Sequence, residues 1–230
     1  MTPLLILFFG VQPVTAVGTD LLFAAVTKSA GSVMHGLTRS IDWPVVSLLA
    51  AGSIPASVTT LVALSQLGLH GATASTLITR VLGYALFGTA AVLLLPNPIL
   101  TRYAARIGTF DARRTAAITI MIGAALGCLV TISSVGAGAM GVAVLILLYP
   151  QLPLARLVGS DIAHAVPLTL LAGIGYWLVG LVDWQLLASL MIGSLPGVVL
   201  GSYAAKRVPA VGLRFVLAAA LVFAASKLVL

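Results

Sequence analysis

Charge is the scarcest commodity in this sequence. Asp, Glu, Lys and Arg make up 7% of its 230 residues, and only five of them are acidic. An ordinary soluble domain carries about 25%. So few charges cannot cover a water-facing surface, which excludes a soluble globular domain. With 60% hydrophobic residues, the chain reads as an integral membrane protein whose main solvent is the bilayer. The net charge of +7 would suggest nucleic acid in a soluble protein. Here the basic residues fall mostly in loops, so membrane topology explains them and no nucleic-acid partner is expected. The single cysteine, Cys128, lies in an apolar segment and is assigned to packing. Three histidines and one cysteine make no ligand cluster, so no metal and no other cofactor is expected. No G-x4-G-K-[ST] motif is present, so the chain carries no ATP-driven motor of its own. The opening MTPLLILFFG lacks a basic n-region and a small-residue cleavage site, which argues against a cleaved signal peptide.

What is abundant is apolar length. Apolar segments run over 16–37, 44–66, 75–95, 116–134, 136–149, 155–179, 185–203 and 211–229, most of them near the ~20 residues a spanning helix needs. They do not alternate apolar and polar residues, which argues against a barrel. The expected fold is an all-α, polytopic membrane protein. Residues 4–10 form a shorter apolar piece, and 136–149 reads as a half-helix or one arm of a re-entrant hairpin. The longest polar connection, within 96–117, carries Arg102, Arg106, Arg113 and Arg114. That density of arginine assigns it to the cytoplasm.

The chain also repeats itself. VGTDLLFAAV from Val17 matches VGSDIAHAVP from Val158, and IDWPVVSLLAAGSIPAS from Ile41 matches VDWQLLASLMIGSLPGV from Val182. Asp20 pairs with Asp161, Asp42-Trp43 with Asp183-Trp184, Gly52 with Gly193 and Pro55 with Pro196, all at one offset. The expected organisation is a first membrane repeat over 1–95, an Arg-rich connection over 96–115 and a second repeat over 116–230, a plan common among secondary transporters. If 116–149 crosses once, the halves are parallel. If it crosses twice or forms a hairpin, they are inverted, which gathers more of the basic residues on one side and is the arrangement expected. At the same offset, the first copy of the Ser/Gly-rich stretch before the second Asp motif falls ahead of Met1. The expectation is that roughly 25 residues lie upstream, or that this member is truncated.

Four features offer chemistry. SSVGAGAMG, Ser133 to Gly141, would break a helix and present free N–H groups to an anion, or pack helices closely. Asp20 and Asp161 either cap a helix start or couple ions and protons. His164, one turn beyond Asp161, can share a proton with it. Lys28 within an apolar run needs a carboxylate, an anionic substrate or an aqueous cavity, and His35 lies near it. Trp43 and Trp184 read as interfacial anchors, with Asp42 and Asp183 as caps of the following spans.

The Gly-rich SVGAGAMG, PVTAVGT from Pro13 with its shifted second copy QLPLARLVGSD, H-x6-D-W from His35 to Trp43, and L-x-x-G-S-[IL]-P in both halves together resemble the sulfite exporter TauE/SafE family of bacterial membrane transporters. Many members carry serine where this chain has Asp20 and Asp161. The resemblance implies a multi-pass permease of the bacterial inner membrane that exports sulfite or an organosulfonate, driven by an ion gradient. On that reading Ser133, Ser134, Gly136, Gly138, Lys28 and His35 contact the anion. Asp161, His164 and Asp20 couple protons, there is no catalytic residue, and the halves rock to give alternating access. The competing readings are a non-transporting accessory subunit of the membrane, and an intramembrane enzyme using Asp161 and His164 as a base. No nucleophile or metal at a clear spacing supports the enzyme.

Overall fold

The computed structural model describes residues 1–37, 40–66, 72–95, 111–136, 138–205 and 210–229, without the side chains of 34, 35, 37, 72, 195, 196, 198–205, 210 and 211. Among the described residues every regular element is a helix. These are α1 (Thr2–Phe9), α2 (Pro13–Leu37), α3 (Trp43–Gln66), α4 (Ala72–Leu94), α5 (Ala112–Ser133), α6 (Ala139–Leu148), α7 (Leu154–Leu178), α8 (Trp184–Ala205) and α9 (Ala210–Val229). Five are long and apolar enough to cross a bilayer: Trp43–Gln66, Thr73–Leu94, Ala112–Ser133, Leu154–Leu178 and Gly212–Val229. The chain is a multi-pass, all-helical membrane protein, as expected. In lipid a helix is the form that satisfies every backbone N–H and C=O within its own segment.

Local chemistry sets the helix starts. Pro13 opens α2 and Pro44 lies in the first turn of α3, where a missing N–H costs nothing. Asp42 Oδ1 accepts the Val45 N–H at 3.3 Å, and Asp183 Oδ1 accepts that of Leu186 at 2.9 Å. Both are therefore the caps expected for α3 and α8. Trp43 and Trp184 beside them are exposed, as membrane-interface aromatics are.

Helix α7 lies at the centre and α9 at the periphery. Small residues let backbones touch. A side chain at Gly123 would overlap the Leu49 carbonyl, one at Gly127 the Ser53 carbonyl, and one at Gly52 the Ile120 carbonyl. Rising numbers in α3 therefore meet rising numbers in α5, so the two run parallel. Helices α2 and α7 run the other way, since Gly18 abuts Tyr176, Gly173 abuts Leu22 and Gly31 abuts Ile162. Around that contact, Val14, Val17, Leu21, Leu168, Ala172 and Tyr176 form a buried core. Helices α5 and α6 close a hairpin, because Tyr149 at the end of α6 returns to Thr119 near the start of α5, with hydroxyls 2.8 Å apart.

Two long-range hydrogen bonds mirror one another. The Asp42 N–H donates to Ser160 Oγ at 2.8 Å, and the Asp183 N–H donates to Thr19 Oγ1 at 3.1 Å. Thr19 and Ser160 are a matched pair in the sequence, as are Asp42 and Asp183.

Candidate functional site

The polar groups converge where the chain between α5 and α6 stops being helical. Ser134 adopts the left-handed conformation at φ 57°, Gly136 sits at φ 124° and Gly138 at φ 133°. The two glycines occupy backbone regions closed to L side chains, so the glycines of SVGAGAMG are a conformational requirement of the turn. The turn leaves α6 with Gly138 at its N-cap and no side-chain cap from that residue. The Gly141 N–H bonds back to the Gly136 carbonyl at 3.3 Å, and the positive end of the helix dipole is left to a partner from another element.

Asp161 of α7 answers that end. It is 1% exposed and accepts the Gly138 N–H. Its Oδ1 packs against Gly141, where a Cβ would overlap the carboxylate, and finds no hydrogen-bond partner among the described residues. Asp20 does the same for α1. Its Oδ2 accepts the Thr2 N–H at 2.9 Å, the Thr2 hydroxyl at 2.5 Å and the terminal ammonium of Met1 at 3.2 Å. Capping by these aspartates is therefore present, but not of their own helices. Each lies about two turns inside α2 or α7 and reaches across to the start of the short helix that precedes it.

His164 is fully buried. Its partner is Ser53 of α3, with Nε2 and Oγ 2.8 Å apart; the tautomer decides which of them donates. Its Nδ1 has no partner among the described residues. Lys28, half-buried on α2, interacts electrostatically with Asp161 and then Asp20, so it bridges the two acidic positions at longer range.

A cavity of about 300 Å3 opens beside Asp161, lined by Gly138, Ala139, Val142, Ile162 and Arg214 among others. It has room for about ten waters. Of the residues singled out by sequence, Gly138 and Asp161 line it. Gly136 is buried in the turn just before it. Ser133 is turned to local backbone, donating to the Leu129 carbonyl at 2.7 Å and accepting the Val135 N–H at 3.2 Å. The Ser134 hydroxyl is buried without a partner among the described residues. The backbone of His35 lies in the last turn of α2, and its side chain lies outside the described residues. Among the described residues, no three His, Cys, Asp or Glu side chains gather as metal ligands do.

Sequence reasoning missed Arg214, Ser53 and Gly141. Arg214 carries a legible signal, since it is a charge one turn into an apolar segment. Ser53 had none, because it meets His164 from 111 positions away.

The family description "Sulfite exporter TauE/SafE" matches residues 1–228. The chain is 33% identical over 231 residues to the "Probable membrane transporter protein YjnA" of Bacillus subtilis (strain 168), an alignment covering 100% of this chain and 90% of the relative. No solved structure matches.

Proposed function

Because the chain belongs to the sulfite exporter TauE/SafE family, we propose that it is a secondary transporter of the bacterial inner membrane that moves sulfite or an organosulfonate by proton-coupled alternating access. The observation that carries this reading is the cavity where the α6 N-terminus, the Arg214 side chain and Asp161 meet. A helix N-terminus and a guanidinium are both anion ligands. Asp161 occupies the same helix end, so an ionised carboxylate and an anion compete there. Protonating Asp161 removes the competing charge and frees the Gly138 N–H. Anion and proton then bind with positive coupling, and linkage makes that coupling reciprocal. His164, with an open Nδ1 one turn from the open Oδ1 of Asp161, supplies a way for the proton to leave toward Ser53. Lys28 balances the buried negative charge.

The same reading takes 1–95 and 116–230 as two inverted repeats. The antiparallel contact of α2 with α7, the α5–α6 hairpin and the reciprocal Asp42–Ser160 and Asp183–Thr19 hydrogen bonds support a two-fold relation between them. Matched elements of opposite direction are the basis of rocking between two states. Ser133, Ser134 and Gly136 serve on this account by holding the turn that exposes the α6 N-terminus. His35 remains a candidate second donor.

The test is flux of labelled sulfite, sulfoacetate, sulfate and chloride into proteoliposomes under an imposed pH gradient. Sulfite or sulfonate flux that collapses with a protonophore is expected. Equal flux of chloride, or none for any sulfur oxyanion, refutes the reading.

A further inference from the structure

Arg80 has no part in the site above. It lies on α4, within the span Thr73–Leu94 and about 10 Å from the start of it. A guanidinium at that depth needs an anion or a route to water. The chain has five acidic residues, and each is placed elsewhere. Asp20 holds the start of α1 and Asp161 that of α6. Asp42 and Asp183 cap α3 and α8, and Asp111 stands at the start of α5. Among the described residues Arg80 makes no salt bridge. Its neighbours are hydroxyls instead. The last turn of α9 ends against the first half of α4, where a side chain at Gly83 would overlap Val229. Just short of that contact a cleft of about 320 Å3 opens, lined by Ser75, Thr76, Thr79 and Arg80 of α4 and by Leu228 and Val229 of α9. Lys227 belongs to the same last turn and is exposed.

We propose that this cleft binds the phosphate of an anionic phospholipid, with Arg80 as its charged ligand and the Ser75 hydroxyl beside it. Helical side chains lean toward the N-terminus of their helix. Arg80 therefore reaches toward the start of α4, where the hydroxyls lie and where the span meets the headgroups. A guanidinium matches two oxygens of one phosphate. Thr79 Oγ1 donates to the Ser75 carbonyl at 2.8 Å, so Thr79 is a wall of the cleft and Ser75 the donor. A phosphate could come from a lipid or from solution, and the surrounding face favours the lipid. Tyr84 and Phe87 follow Arg80 on the same side of α4, and both are exposed. A charged ligand followed by apolar surface is the order in which a lipid presents headgroup and chains. The second positive charge, on Lys227, favours a headgroup of net negative charge over a zwitterionic one. Bound there, the lipid clamps the end of α9, the peripheral helix that carries Arg214 near its start.

The cleft stands apart from the Asp161 cavity, so flux does not decide its role. The protein is purified in detergent with a tag after Leu230, so that no terminal carboxylate directly follows α9. It is titrated with phosphatidylglycerol, phosphatidylcholine and inorganic phosphate. Native mass spectrometry counts bound lipid, and thermal unfolding is recorded alongside. Phosphatidylglycerol should bind about tenfold or more tightly than phosphatidylcholine, the worth of one charged hydrogen bond. Arg80→Gln should remove that preference and Arg80→Lys should keep part of it. Ser75→Leu, which fills the cleft and leaves the charge, should also weaken phosphatidylglycerol binding, and it decides the matter if Arg80→Gln fails to fold. Equal binding of the two lipids by the parent protein overturns the proposal, since Arg80 then only snorkels to the interface. Unchanged phosphatidylglycerol binding in either Arg80→Gln or Ser75→Leu overturns it too. Displacement of phosphatidylglycerol by an equal concentration of inorganic phosphate overturns the lipid as the source and makes the ligand a free anion.

Discussion

Gly141→Ala puts the site's geometry to a quantitative test. Gly141 is the third residue of α6, and helix propensity alone favours alanine there by about 1 kcal/mol. The position is not alone, however. A Cβ on Gly141 would overlap the partnerless Oδ1 of Asp161, whose carboxylate is held in place by the Gly138 N–H and by its own helix α7. Overpacking of that kind costs about 1–3 kcal/mol, so the substitution should destabilise despite the propensity gain. Removing the carboxylate reverses the sign. In an Asp161→Ala background the overlap is gone, and Gly141→Ala should be neutral or stabilising by up to about 1 kcal/mol. The four proteins form a double-mutant cycle with an expected coupling of about 1–3 kcal/mol. The assay is thermal or denaturant unfolding of each in the same detergent, with flux recorded alongside. Gly141→Ala should also lower flux, since it displaces Asp161 from the α6 N-terminus. An equal cost of Gly141→Ala in both backgrounds would refute the contact and the placement of Asp161 with it.

Four further expectations come from the same geometry. Arg214→Gln should raise the KM for the transported anion about tenfold or more while Arg214→Lys recovers part of it, since the loss of one charged hydrogen bond is worth about 1.5–3 kcal/mol; an unchanged KM removes Arg214 from the site. Ser53→Ala leaves His164 Nε2 buried without its partner and should cost about 1–3 kcal/mol of stability. His164→Phe, which copies the matched Phe23, should fold and yet flatten the pH dependence of flux; a profile like that of the parent protein counts against the proton role. Tyr176 is fully buried and donates to the Thr131 carbonyl at 3.0 Å, so Tyr176→Phe should cost about 0.5–1.5 kcal/mol and leave flux intact, as measured by unfolding and by proteoliposome assay.

The spans were legible because run length in lipid is a one-dimensional property. Eight apolar segments and the short piece at 4–10 correspond to nine helices among the described residues, with ends shifted by a few positions. The turn before α6 was legible from its glycines, because positive φ at two nearby positions leaves few other residues. The roles of Asp20 and Asp161 were half legible. Spacing along one helix suggested a cap of that helix, but Pro13 starts α2 and Pro153 precedes α7 well before the aspartates. Their partner helix ends lie on other elements, which periodicity does not register. His164 is the plainest case. Its separation from Asp161 suggested an acid-base couple along α7, whereas its hydrogen bond goes to Ser53, a contact made only when α3 and α7 pack.

Asp161→Asn, assayed for both accumulation and exchange of sulfite in proteoliposomes, tests the central claim most directly. The asparagine keeps the shape beside Gly141 and Gly138 and loses the titratable proton. The account predicts that exchange of labelled for unlabelled anion persists while accumulation driven by a pH gradient is abolished. Accumulation at the parent level in Asp161→Asn would contradict proton coupling at this site.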